Sequence, residues 1–219
     1  MSLHTHIKIC CIKNIAEATM AIGYGASALG FVSAMPSGPG PISEEEIAEI
    51  IPQIPAGVAT FLLTSRLDAP SIIAQQVKTR ANTLQLVDAV SVAVHRELKA
   101  ALPGVTLVQV IHVVGRESIA EALAVDPFVD ALLLDSGNPG LPIKQLGGTG
   151  RVHDWGISRE ICSAVSRPVY LAGGLNAGNV AEAIQRVRPY GVDLCNGVRT
   201  GGFLDESKLS QFVSAVAQA

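Results

Sequence analysis

Leu132-Leu133-Leu134-Asp135-Ser136 reads as a buried strand that carries one carboxylate to its C-terminal end. Further along comes Gly147-Gly148-Thr149-Gly150-Arg151, and then His153-Asp154-Trp155, with Asp154 placed to cap a helix. In barrels and open α/β sheets, chemistry sits at the C-terminal ends of the strands. Asp135 is therefore a candidate catalytic carboxylate, and Gly147, Gly148, Thr149, Gly150 and Arg151 form a candidate lid and substrate loop.

Working outward from this stretch, strand-like and helix-like segments alternate along the chain. Strands are expected over 7–12, 27–32, 58–63, 83–87, 105–113, 129–135, 168–172 and 190–195. Helices are expected over 14–24, from 43 onward, and over 69–79, 91–101, 116–125, 154–165, 176–187 and 205–216. Asn14 serves as an N-cap, and Ser43-Glu44-Glu45-Glu46 carries a capping-box pattern. Eight β/α units are the count of a TIM barrel, although an open doubly wound sheet uses the same units. No linker breaks the pattern, so one α/β domain, a (β/α)8 barrel over 1–219, is the expectation. Two longer loops, 36–41 and 136–152, fall on the face where active-site loops belong.

Composition narrows the function classes. The 219 residues are 48% hydrophobic and 16% charged, which favours a packed core over disorder. A net charge of -3 with scattered Lys and Arg gives no footprint for nucleic acid and no basic membrane face. No apolar run approaches the ~18 residues that span a bilayer. No signal peptide is read at the N-terminus, and a cytoplasmic protein with reduced thiols at Cys10, Cys11, Cys162 and Cys195 is expected. No cluster has metal-ligand spacing, so no metal is expected. Of the histidines, His4 and His6 are assigned to the N-terminal tail and His95 to a solvated helix face; His112 ends strand five, with a site-facing and a structural role both open.

In strand one, Ile7, Ile9 and Cys11 share one face and Lys8, Cys10 and Ile12 the other. The outer face of a barrel packs under apolar helices, so Lys8 points inward and Cys10 with it, one layer nearer the mouth. A thiol beside an ammonium can act as a base or nucleophile, but a free cysteine is most often a small buried hydrophobe, and this strand alone favours that reading. Gly173-Gly174 follows strand seven and Asn196-Gly197 follows strand eight. Loops at these two positions are where such barrels grip phosphate through backbone N–H groups, although glycine also serves ordinary turns.

Taken in order, Lys8-Ile9-Cys10, Ala28 to Val32, Leu133-Leu134-Asp135, Gly147 to Trp155, Ala172-Gly173-Gly174-Leu175-Asn176, Val192-Asp193 and Gly197-Val198 resemble the phosphoribosylanthranilate isomerase family of tryptophan biosynthesis. The resemblance covers nearly the whole chain. It implies an Amadori rearrangement of N-(5'-phosphoribosyl)anthranilate, with Asp135 as general acid, Cys10 as general base, and no cofactor. It implies a small phosphorylated substrate and a monomer or homodimer.

Three positions depart from the family pattern. Cys11 replaces a glycine after Lys-Ile-Cys. The loop after strand two reads Pro36-Ser37-Gly38-Pro39-Gly40-Pro41, without the arginine that recognises the anthranilate carboxylate, and strand four ends Gln85-Leu86-Val87-Asp88 instead of Gln-Leu-His-Gly. Arg66, Arg116, Arg151 and Arg199 are the expected substitutes. The alternatives are a divergent paralogue acting on another phosphoribosyl-amine or sugar phosphate, and a barrel that binds a phosphorylated ligand without turnover.

Overall fold

A computed structural model describes residues 5–219. Eight parallel strands, β1 (His6–Ile9), β2 (Ala28–Val32), β3 (Ala59–Thr64), β4 (Thr83–Leu86), β5 (Thr106–His112), β6 (Ala131–Asp135), β7 (Val169–Leu171) and β8 (Gly191–Leu194), pair in sequence order. The ring closes where β1 pairs with β8, Ile9 opposite Leu194. Eight helices cover the outside: α1 (Ile15–Gly23), α2 (Glu44–Ile50), α3 (Ala69–Thr79), α4 (Val92–Ala101), α5 (Glu117–Val125), α6 (Trp155–Ala164), α7 (Val180–Val187) and α8 (Glu206–Ala217). The chain is thus a (β/α)8 TIM barrel. Among the described residues no helix is long and apolar enough to cross a membrane.

Alternation along the strands sorts the buried side chains into two sets. Ile7, Ile9, Leu29, Phe31, Leu84, Leu86, Leu132 and Leu134 pack outward against the helices. Cys10, Ala28, Val32, Phe61, Leu63, Val108, Val110, Leu133 and Tyr170 pack inside the ring. Parity therefore carries Asp135, two residues beyond Leu133, to the inner side of the upper rim. Helix starts follow the expected chemistry. The Asn14 side chain accepts from the Glu17 N–H at 2.9 Å, Ser43 and Glu46 form the reciprocal box, and Asp154 caps α6.

Several local expectations fail for identifiable reasons. β1 ends at Ile9 rather than at residue 12, because Cys11 takes a left-handed conformation at φ +63° and turns the chain. His95 is fully buried, not solvated: it lies on the barrel-facing side of α4 and meets Gln109, which points outward from β5, at 3.0 Å. Against the pull of the Gln109 hydrogen bond, burial holds its pKa below the ordinary value, which favours the neutral ring. His6 is not tail but the first residue of β1, stacked on Tyr190 at 4.3 Å; His4 lies outside the described residues. The loop after β8 folds into an unexpected two-stranded hairpin, β9 (Arg199–Thr200) with β10 (Phe203–Leu204).

Lys8 is the largest fully buried side chain inside the ring. Its ammonium meets Asp193 of β8 at 2.9 Å and lies 5.0 Å from the Phe61 ring centre. Burial alone would lower its pKa, but the charge of Asp193, helped by Cys10, outweighs this and raises it, so Lys8 stays protonated. Lys8→Met would leave Asp193 without its cation and should cost about 3–5 kcal/mol in urea unfolding at neutral pH. Adding Asp193→Asn should recover most of that loss. A single-variant loss below about 1 kcal/mol would show that the pair contributes no more than a surface bridge.

Candidate active site

The inner residues at the C-terminal rim enclose a cavity of about 290 Å³, at the lower end of small-molecule sites. Cys10, Val32, Leu63, Val87, Asp135, Ala172 and Cys195 form its rim wall, and Gln85 and Asp193 lie among the residues lining it from one strand position deeper. Cys10 has room because β2 carries Gly30: a Cβ there would stand 2.8 Å from the Cys10 sulfur and 3.1 Å from the Lys8 nitrogen. The thiol and the ammonium thus share one small space.

The turn that presents Cys10 is held from several sides. Arg199 donates to the Cys10 and Cys11 carbonyls at 3.2 and 2.6 Å, and its guanidinium is ion-paired with Glu17 at 2.9 Å. The Cys11 thiol donates to the Pro39 carbonyl at 3.5 Å. Contact with the Cys10 and Cys195 thiols, with burial, pushes the Cys11 pKa up. The positive φ at Cys11 is a conformation that suits glycine; the cysteine costs on the order of 1 kcal/mol of strain.

The loop between β6 and α6 closes over the cavity as a lid. It is tied on one side by Ser37, whose hydroxyl donates to the Lys144 carbonyl at 2.7 Å. On the other side, Ser136 and Thr149 hydroxyls meet at 2.6 Å and Asn196 donates to the Gly148 carbonyl at 3.3 Å. Gly147 sits directly on the catalytic candidate at φ +141°, where a Cβ would come within 2.9 Å of Asp135 Oδ2. Burial under this lid raises the Asp135 pKa above 3.8, aided by the charge of Asp193 and opposed by the Ser136 N–H at 2.8 Å and by His112 and Lys8.

The structure brings Cys10, Asp135, Gly147, Gly148, Thr149, Gly150, Gly173, Gly174, Asn196 and Gly197 to one cavity. Gly173 and Gly174 have φ of +83° and +64°; Gly173 packs tightly against Ser136 and His153, and at Gly174 a Cβ would stand 2.7 Å from the Arg151 backbone, too close to fit. Behind Gly173 lies His153, whose pKa burial lowers to about 4 and whose Nε2 meets the Ser158 hydroxyl at 2.7 Å.

The four candidate arginines do not line the cavity. Arg66 pairs with Glu44 at 3.0 Å, Arg116 makes a two-pronged pair with Glu160, and Arg199 is buried against Glu17. Arg151 donates to Gln145 at 2.9 Å. His112 likewise is structural, with Nε2 on the Val87 carbonyl at 2.9 Å. Sequence reading missed Asp193, Met35 and Cys195 as lining residues; Asp193 and Cys195 share one parity at β8, a signal that they face the same way, whereas Met35 lies beyond the end of β2. Among the described residues no group of His, Cys, Asp or Glu is arranged to hold a metal ion.

A half-buried carboxyl with a raised pKa binds its proton more tightly folded than unfolded, so ionising it costs stability as pH rises above 3.8. Asp135→Asn should therefore melt at a higher temperature than the unaltered protein at about pH 8, the gap closing toward about pH 4. A variant that melts lower at both pH values would contradict this account of Asp135.

Residues 7–215 match the family model described as N-(5'-phosphoribosyl)anthranilate isomerase. The isomerase 2 of that name from Methanosarcina mazei is 37% identical over 209 residues, covering 94% of this chain and 92% of the relative. The crystal structure of phosphoribosyl anthranilate isomerase from Thermotoga maritima superposes with a TM-score of 0.84 at 26% identity, covering 98% of this chain and 100% of that one. A further structure of such an isomerase, in complex with reduced 1-(o-carboxyphenylamino)-1-deoxyribulose 5-phosphate, shares the fold with a TM-score of 0.82 at 24% identity, covering 98% and 100%.

Proposed function

This chain belongs to the N-(5'-phosphoribosyl)anthranilate isomerase family, and we propose that it converts N-(5'-phosphoribosyl)anthranilate to 1-(2-carboxyphenylamino)-1-deoxyribulose 5-phosphate as that family does. The observation that carries the residue assignment is the presence, in one lidded cavity, of a carboxyl whose pKa desolvation raises and a thiol seated beside an ammonium.

In this reading the substrate phosphate lies on the backbone of the loops after β7 and β8, at Gly173, Gly174, Asn196 and Gly197. Asp135 delivers its proton to the ribose ring oxygen, the bond from that oxygen to C1 breaks, and the anilino nitrogen becomes an iminium. The iminium draws electrons from C2, so the Cys10 thiolate can remove the C2 proton and form an enolamine. Protonation at C1 and loss of the enol proton give the ketone. Atoms and electrons balance within the substrate, so the steps call on no redox partner and no cofactor. Lys8, fixed by Asp193, places a positive charge beside the thiol throughout. The raised pKa of Asp135 favours its acid form, as a proton donor needs. A barrel that only bound a phosphorylated ligand would need neither group.

The test follows the fluorescence of freshly generated phosphoribosylanthranilate. Turnover is expected in the unaltered protein, with kcat lowered about 10²–10⁴-fold in Cys10→Ala and in Asp135→Asn. Full activity in either variant would remove that residue from the mechanism, and no turnover in the unaltered protein would remove the substrate.

A further inference from the structure

The substrate proposed above carries a carboxylate on its aromatic ring, and the cavity must give that charge a partner. Its lining contains Asp135 and Asp193 and no lysine or arginine. The one ammonium inside the ring, Lys8, is fully buried and already paired with Asp193. A carboxylate placed between these walls would meet two acids and no free cation.

The aromatic end can be located by its chemistry. The glycine loops after β7 and β8 take the sugar phosphate, so the ring falls to the opposite wall, built from β2 to β4. That wall is apolar, with Val32, Met35, Leu63 and Val87, and Leu146 of the lid faces it. At its edge is Asp88, the residue after Val87, ion-paired with Lys144 of the lid. Ser37 and Leu146, both lining residues, bracket Lys144: one holds its carbonyl and the other lies two positions along the chain.

The two partners of this pair differ in freedom. Asp88 is fixed, its side chain only 10% exposed, with Oδ1 accepting from the Ala89 N–H at 2.9 Å and its carbonyl accepting from Gln109 at 3.0 Å. The Lys144 side chain is 44% exposed, on a flexible stem. We propose that Lys144 is the specificity-determining cation of this chain: it binds the aryl carboxylate of the substrate from the lid, and Asp88 holds its ammonium at the aromatic end of the cavity. Recognition thus comes from the loop after β6, not from the loop after β2, and docking the carboxylate also pulls the lid onto the substrate. The inference rests on the isomerase reading for the identity of that carboxylate.

The experiment compares Lys144→Met, Lys144→Arg and Arg66→Ala with the unaltered protein on two substrates, phosphoribosylanthranilate and the phosphoribosyl derivative of aniline, which lacks the carboxylate. Lys144→Met should raise KM for the first by about tenfold or more with kcat little changed, and leave the second unaffected. Lys144→Arg should restore much of the loss, and Arg66→Ala should match the unaltered protein. An unchanged KM in Lys144→Met, or equal losses on both substrates, would overturn the proposal, as would an effect confined to Arg66→Ala. Calorimetric binding of the reduced product analogue separates this from the isomerase reading. If the unaltered protein binds that analogue without turning over the substrate, only the isomerase reading falls, and a loss of affinity of about tenfold in Lys144→Met still supports the lysine. Equal affinity of the two proteins, or no binding by either, overturns it.

Discussion

Closing eight strands into a ring leaves each side chain only two places to go, outward under the helices or inward to the barrel. Most of the site descends from this constraint. Lys8 and Cys10 share a parity, so a buried ammonium and a thiol come as a pair from one strand, and Gly30 on the neighbouring strand leaves the space they need. Leu133 and Asp135 share a parity, so the apolar run that anchors β6 in the core also aims its terminal carboxylate at the mouth. A one-residue shift in either strand would bury the chemistry under helices and expose core residues to the cavity.

The lid then sets the chemistry that the ring has positioned. Asp135 at an open mouth would be an ordinary carboxylate. With Gly147 laid on it, the carboxyl is desolvated and its pKa is raised, the direction that suits a proton donor. The position demands glycine twice, once for its positive φ and once because a Cβ would collide with the carboxylate. The same loop fastens to Ser37 on one side and to Asn196 on the other, so it spans the cavity from the loop after β2 to the loop after β8.

How much of this was legible in the sequence follows from the range of the forces involved. Strand parity and helix capping are local, and they gave the eight units, the caps at Asn14, Ser43 and Asp154, and the inward direction of Lys8 and Cys10. Partner choice is not local. Arg199 looked available for a ligand, yet Glu17 of α1, remote in sequence, takes it, and together they clamp the Cys10–Cys11 turn. His95 looked solvated because its helix is polar on average, but one outward glutamine on β5 gave it a buried partner. The Asp193 partner of Lys8 was likewise out of reach, since only closure of β1 onto β8 brings the two together.

Cys11 shows both limits at once. Its departure from the family glycine was visible in the sequence, and the left-handed φ explains the glycine without explaining the cysteine. Its thiol reaches the Pro39 carbonyl, fastening the loop after β2 to the turn that presents Cys10. That loop is the one without the expected arginine. It is instead rich in proline and glycine, packed against Cys11 at Gly40 and against the lid at Pro39. A loop used as a strut between the Cys10–Cys11 turn and the lid has little freedom to carry a long cationic side chain into the cavity. In the proposed reading the positive charge at the aromatic end is then left to the lid, where Lys144 accepts the Ser37 hydroxyl of the same loop at its carbonyl.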